Sequence, residues 1–89
     1  MKEAQVLLQQ ALELEAEAQR LLLAGKREAA APIFRQVADL YRRSWEEAPP
    51  RAYGRLAGML KAAILAGDGA EGANYAREQV GDADSPSSA

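Results

Sequence analysis

One stretch of this chain, residues 33–48, places the strongest constraint on its fold. It contains the only phenylalanine, Phe34, and the only tryptophan, Trp45. Together with Val37 and Tyr41, these residues recur every three or four positions, which is the spacing of one buried face of an α-helix. The opposite side carries residues of opposite charge four positions apart, as is typical of a solvated helix surface. The stretch therefore predicts an amphipathic helix against which the rest of the chain packs.

Turn-forming residues divide the rest of the sequence into further helices. Gly25 and Gly67 each follow a leucine- and alanine-rich segment and can end a helix in the left-handed conformation. Pro32 predicts either a late start of the second helix or a kink in it. The predicted fold is all-α, with three to four antiparallel helices arranged as helical hairpins. The predicted helices cover about residues 2–24, 27–48, 51–66 and 69–80 of a single domain at 1–81, followed by a disordered tail at 82–89.

The first helix carries more leucine than one hairpin can cover. Leu7, Leu14 and Leu21 have the spacing of a hairpin core face, with a dimerisation seam as the alternative. Leu7, Leu8 and Leu12 lie in the half of the helix that we expect the other helices to cover least. Exposed apolar patches often mark interfaces, and two-fold dimers are the commonest closed assembly. The sequence thus predicts a homodimer that forms through Leu7, Leu8 and Leu12.

The third predicted helix contains two glycines four positions apart, Gly54 and Gly58, with Ala62 following at the same spacing. Each glycine destabilises a helix interior by about 1 kcal/mol relative to alanine. A close approach by a neighbouring helix would compensate for this cost. The membrane form of this glycine motif does not apply, because Arg55 and Lys61 interrupt the stretch.

The composition limits the functions that this chain can perform. Its 89 residues include no cysteine and no histidine, and its net charge is −2. It therefore lacks thiol chemistry and the commonest acid–base group and metal ligand. A net charge this small gives no field that would attract nucleic acid or an anionic membrane. No uncharged apolar run approaches the roughly 18 residues of a membrane span, so we expect a soluble cytoplasmic protein.

The remaining polar residues suggest no catalytic, metal or cofactor site. Ser44 with Lys61 is the only nucleophile–base pair to consider, and Ser44 fits better at the edge of a packed helix face. Four glutamates could offer oxygen ligands to a hard metal, but a solvated acidic face is the favoured interpretation. These are Glu13, Glu15, Glu17 and Glu28. We therefore predict a protein that is not an enzyme and that uses no metal or cofactor.

Four arginines surround the predicted turn at Pro49 and Pro50. They are Arg42, Arg43, Arg51 and Arg55. Glu46 and Glu47 lie among them, so an ion-pair network is the favoured interpretation. The alternative is a patch that binds an anionic group or an acidic peptide.

Two segments of the chain resemble each other. Residues 22–25 and 64–67 both read as two large aliphatic residues followed by Ala-Gly, at an offset of 42 residues. Each is followed by a polar residue, then a glutamate and then a helix rich in small residues. This similarity predicts two helix–turn–helix units rather than a bundle without internal repetition.

The first of these units resembles the tetratricopeptide-repeat superfamily. That family's helical hairpin has a glycine at its turn, followed by an alanine, an aromatic and a small residue at fixed spacing. The matching residues in this chain are Gly25, Ala30, Phe34 and Val37, and the likeness covers about residues 11–43. The second unit departs from the pattern, since Gly72 and Ala76 stand where alanine and an aromatic residue are expected. The long second helix with a short third one also looks like the three-helix microtubule-interacting-and-trafficking domain.

Both resemblances imply a protein-interaction scaffold without catalysis. The carboxylate clamp of some tetratricopeptide repeats uses lysine and asparagine side chains, and Asn74 is the only asparagine in this chain, so that activity is not carried over. The first functional hypothesis is a small interaction module that associates with itself. The second is an accessory subunit or chaperone-like adaptor that binds a partner helix or an acidic peptide.

Overall fold

The described part of the chain consists of four α-helices joined by short connections. The structure, a computed structural model, describes residues 2–48 and 52–84. The helices are α1 (Lys2–Leu23), α2 (Arg27–Glu47), α3 (Tyr53–Leu65) and α4 (Gly69–Asp84). Consecutive helices pack against each other as antiparallel hairpins, so the predicted all-α fold class is confirmed. The Cα trace measures 48 × 30 × 14 Å, and the smallest dimension fits two layers of helices packed about 8–10 Å apart.

Two expectations about the helices differ from the structure. α2 begins at Arg27 and continues through Pro32, so a late start of this helix is wrong. Pro32 is exposed, and water can there replace the hydrogen bond that proline cannot donate. α4 continues to Asp84, so residues 82–84, predicted to be part of a disordered tail, are helical. Residues 85–89 and Arg51 lie outside the described residues.

The core is formed by the aromatic face of α2 together with small residues from its neighbours. Phe34 is 1% exposed and Val37 is fully buried, as the helical spacing predicts. Ala11 and Ala18 of α1 are fully buried beside them, whereas Leu14 and Leu21 are only partly buried. Because alanine has a short side chain, it lets α1 approach α2 closely enough to enclose the phenylalanine ring.

The two hairpin turns are the same structure repeated 42 residues apart. Gly25 and Gly67 have φ of 81° and 88°, in the left-handed region that glycine adopts without strain. After each glycine, the next amide N–H donates to the carbonyl oxygen five residues before it, at 2.9 Å for Lys26 and 2.8 Å for Asp68. These bonds form a Schellman motif at the end of α1 and of α3. The predicted pair of helix–turn–helix units therefore shares one turn geometry.

Two side-chain hydrogen bonds join α4 to the end of α2. The indole N–H of Trp45 donates to Gln79 Oε1 at 3.0 Å, and the hydroxyl of Tyr75 donates to Glu46 Oε2 at 2.7 Å. Trp45 is half-buried, because α4 covers it only in part. The second hairpin is thus attached to α2 through polar side chains as well as through its apolar residues.

Candidate interaction surface

The structure corrects the predicted interface at its first residue. Leu7 is only 5% exposed, so it is buried within the chain and cannot form a dimer contact as it stands. α2 is almost as long as α1 and covers its first turns. The Ser44 hydroxyl donates to the carbonyl oxygen of Ala4 at 2.9 Å. The N-terminal half of α1 is therefore better covered than its leucine content suggested.

The other two predicted interface residues differ in their exposure. Leu8 is half-buried against the core, and Leu12 is 47% exposed. Leu12 belongs to a stripe of six exposed residues at helical spacing, which we call the outer face of α1. The outer face consists of Gln5, Gln9, Leu12, Ala16, Gln19 and Leu23. None of its members is charged, although 27% of the residues in the chain are charged.

Leu23 is a member of the outer face that the sequence prediction did not include. It is 89% exposed, more than any other large apolar residue of the described chain. It lies eleven residues after Leu12, which is about three helical turns. This spacing places both side chains on one face of α1, and it is the signal that could have identified Leu23.

A second exposed apolar face lies on α3. Tyr53 is 49% exposed and Ile64 is 59% exposed. The residue equivalent to Ile64 at the 42-residue offset is Leu22, which is half-buried. Leu22 lines a cavity of about 410 Å³ together with Ile64 itself, Leu65 of α3 and the adjoining Ala66. α3 thus covers the first hairpin, whereas the equivalent position of the second hairpin stays open.

The arginine cluster is organised by ion pairs and backbone contacts. Arg42 contacts Asp39 and lies 3.2 Å from Glu46 Oε2, and Arg43 lies 3.9 Å from Asp39. Arg55 donates to the carbonyl oxygen of Ser44 at 3.5 Å. Each described arginine of the cluster therefore has an oxygen partner within the chain, and this arrangement favours the ion-pair interpretation over an anion-binding patch. Arg51 is not among the described residues.

A shallow cavity lies where α2, α3 and α4 meet. It has a volume of about 290 Å³, and Met59 and Ala63 of α3 contribute its apolar lining. On its rim, Arg35 donates to the carboxylate of Asp68 at 2.8 Å and to the carbonyl oxygen of Ala66 at 3.2 Å. Because this cation is already paired, the cavity offers a ligand little unmatched charge.

Two tyrosines beside glutamates have raised pKa values. Burial, followed by the hydrogen bond from its hydroxyl to Glu15 Oε1 at 3.0 Å, raises the pKa of Tyr41 to about 12. Burial and the hydrogen bond to Glu46 likewise raise the pKa of Tyr75 to about 12. In both cases the neutral phenol is the favoured form, so neither tyrosine is prepared to act as a base at neutral pH.

These raised values predict that the protein loses stability in strong alkali. A group with a raised pKa in the folded state contributes stability below its ordinary pKa near 10, and that contribution disappears as the pH rises to about 12. We expect the free energy of unfolding, measured with urea, to fall across this range. In the double variant Tyr41→Phe/Tyr75→Phe, this decrease in the free energy of unfolding should be much smaller. An identical pH profile in the variant and the wild-type protein would contradict this explanation.

Metal ligands, membrane-spanning helices and known relatives add no indication of function for the described residues. Among the described residues, no group of three or more aspartate, glutamate, histidine or cysteine side chains could hold a metal ion. The four helices described by the structure are each too short or too polar to cross a membrane. Comparison with protein-family models, with curated proteins and with solved structures finds no match.

Proposed function

We propose that this protein is a small non-catalytic protein–protein interaction module that associates with itself through the outer face of α1. The observation that carries the proposal is the exposure of Leu12 and Leu23, 47% and 89%, on one uncharged face. Large apolar side chains that share one face stay in contact with water unless a second molecule covers them. Burying a fully exposed leucine contributes roughly 1.5–3 kcal/mol, so Leu23 would contribute nearly this amount to association and Leu12 about half of it.

The repeated turn supports a tetratricopeptide-like hairpin architecture for this module. The two turns match in backbone conformation and in hydrogen bonding at an offset of 42 residues. This offset exceeds the roughly 34 residues of the standard repeat, because α2 is long. Solenoids of such hairpins bind other proteins through surfaces made by neighbouring helices, which agrees with an interaction role.

The mass of the protein in solution tests the proposal. We expect sedimentation equilibrium to show association at micromolar or higher concentration, toward twice the chain mass of 9.6 kDa. The double variant Leu12→Glu/Leu23→Glu should stay at the monomer mass, because it places charges in the proposed interface. Circular dichroism would establish that the variant is folded.

Val6 provides a matched control on the same helix. It is 54% exposed, which is similar to Leu12, but it lies outside the outer face. Val6→Glu should therefore associate as the wild-type chain does. A wild-type chain that keeps the monomer mass at every concentration would reject self-association. If Val6→Glu weakened association as much as Leu12→Glu/Leu23→Glu does, the assignment of the interface to the outer face would be rejected.

The exposed face of α3 favours a second candidate function, in which the protein is an adaptor that binds a partner helix. Tyr53 and Ile64 are exposed on a face of α3 against which a further helix could pack. In the first hairpin, α3 packs in this way beside Leu22, the residue equivalent to Ile64. A partner held in this way would be lost with Ile64→Glu and retained with Leu12→Glu. A pull-down with these two variants separates the adaptor from the self-associating module. The ion pairs of Arg42 and Arg43 give less support to an acidic peptide as the partner.

A further inference from the structure

We infer that two copies of this protein pair through α1 in antiparallel register, with Leu12 of each copy against Leu23 of the other. This inference rests on the proposed self-association and specifies its geometry. In the register, a two-fold axis passes level with the boundary between residues 17 and 18. Ala16 then lies level with Gln19 of the second copy, so that a small residue faces a larger one at the centre.

The spacing of the two leucines fits this register. They are separated by eleven residues, or roughly 16 Å along the helix. A two-fold axis midway between them places each leucine opposite its counterpart, and a single helix pair covers all four leucines. Both residues lie in the part of α1 from Leu12 to its C-terminal end, where every residue of the outer face is exposed.

The charges beside the outer face decide between antiparallel and parallel pairing. Glu13 and Arg20 are exposed and lie seven residues apart along the same flank of this face. In the antiparallel register, Glu13 of one copy comes within two residues, or about 3 Å of axial rise, of Arg20 of the other. Parallel two-fold pairing would instead place the Glu13 side chains of the two copies on opposite sides of the seam, and likewise the Arg20 side chains, so no Glu13–Arg20 pair could form across it. Opposite charges across an interface favour the register that joins them, so the antiparallel pair is preferred.

The lack of closure disfavours a head-to-tail contact between α1 and α3. Tyr53 and Ile64 are also eleven residues apart, so a parallel contact could place them level with Leu12 and Leu23 of a second copy. Such a heterologous contact leaves one apolar face uncovered at each end of the assembly unless a ring closes, whereas the two-fold pair covers both of its faces with two copies.

The size of the pair predicts a weak association. The overlapping part of α1 covers residues 12–23, which is about 18 Å of helix. A single helix pair of this length buries less than the roughly 1,200–2,000 Å² of a stable complex. We therefore expect a dimer that dissociates on dilution through the micromolar range and that needs a covalent trap to reveal its register.

Engineered cysteines can test the register, because the chain contains no cysteine of its own. Leu12→Cys and Leu23→Cys chains, mixed and mildly oxidised above the dissociation constant, should give a disulfide-linked dimer as the main product. Leu12→Cys alone should stay monomeric on a non-reducing gel. In an antiparallel pair of Leu12→Cys chains, the cysteines of the two copies would lie about 16 Å apart along the helix. This is well beyond the roughly 7 Å between Cα atoms that a disulfide can bridge. Circular dichroism of each chain checks that the substitutions leave the fold intact.

Other cross-linking results would show in which way the inferred register is wrong. Rapid cross-linking of Leu12→Cys with itself would indicate parallel pairing and overturn the inference. Cross-linking of Leu12→Cys with Tyr53→Cys, in place of Leu23→Cys, would indicate the head-to-tail contact and overturn it as well. A wild-type dimer with no cross-link in the mixed sample also overturns the register while leaving self-association intact. A wild-type chain that never dimerises removes the proposed function and the inference together.

Discussion

Replacing Phe34 by alanine should destabilise the protein by about 3–5 kcal/mol. The side chain is 1% exposed and lies in the apolar cluster shared by α1, α2 and α3. Removing the ring leaves a cavity that the helices can only partly close, because the hydrogen bonds from Tyr41 to Glu15 and from Ser44 to Ala4 hold α2 against α1. With a shift of about 4–8 °C for each kcal/mol, the melting temperature should fall by roughly 12 °C or more. Thermal unfolding followed by circular dichroism measures this loss.

Val6→Ala is the control for the phenylalanine substitution. It also shortens an apolar side chain, but at a position that is 54% exposed. We expect a change within about 0.5 kcal/mol, as for other surface substitutions. If Phe34→Ala were as mild as this control, the buried face of α2 would be assigned to the wrong residues.

Replacing Gly58 by leucine should also produce a large loss of stability, whereas the same change at Gly54 should not. A Cβ atom at Gly58 would lie 2.9 Å from Cε1 of the Tyr41 ring, closer than packed atoms allow. The ring cannot move away easily, because its hydroxyl is bonded to Glu15. Overpacking of this kind costs about 1–3 kcal/mol, which exceeds the gain of less than about 1 kcal/mol from a better helix former.

At Gly54 only the gain in helix propensity remains. A Cβ atom there would have no neighbour within 4 Å, and Gly54 lies in the first turn of α3, so leucine should raise the free energy of unfolding by about 0.5 kcal/mol or less. Urea unfolding of the two variants should therefore give changes of opposite sign. Stabilisation by both substitutions would show that α2 and α3 approach less closely than the structure indicates.

The fold could be predicted from the sequence wherever one helix determines its own buried face. Phe34, Val37 and Tyr41 repeat at helical spacing and are buried, because a periodic apolar face is a property of the local sequence. The turns at Gly25 and Gly67 could be predicted for a similar reason, since a left-handed residue at a helix end favours glycine.

The candidate interface could be predicted only in part, because the cover over a helix depends on its neighbours. Leu7 shares the buried stripe of α1 with Ala11 and Ala18, whereas Leu12, five residues later, points about 140° away from it and is 47% exposed. That α2 reaches the first turns of α1 and covers Leu7 depends on the length of α2 and on its register on α1, which the pattern of α1 does not contain. The same limit applies to the glycine pair of α3, where only Gly58 meets a neighbouring side chain below 4 Å.

The position of Trp45 gives the molecule a built-in optical probe. It is the only tryptophan, and its ring centroid lies 5.6 Å from that of Tyr53 on α3, while its indole N–H is bonded to Gln79 on α4. Its fluorescence therefore reports on the contact between the second hairpin and α2, whereas far-ultraviolet circular dichroism reports on all four helices. Melting curves from the two signals coincide if both hairpins unfold together, and they separate if the second hairpin detaches first.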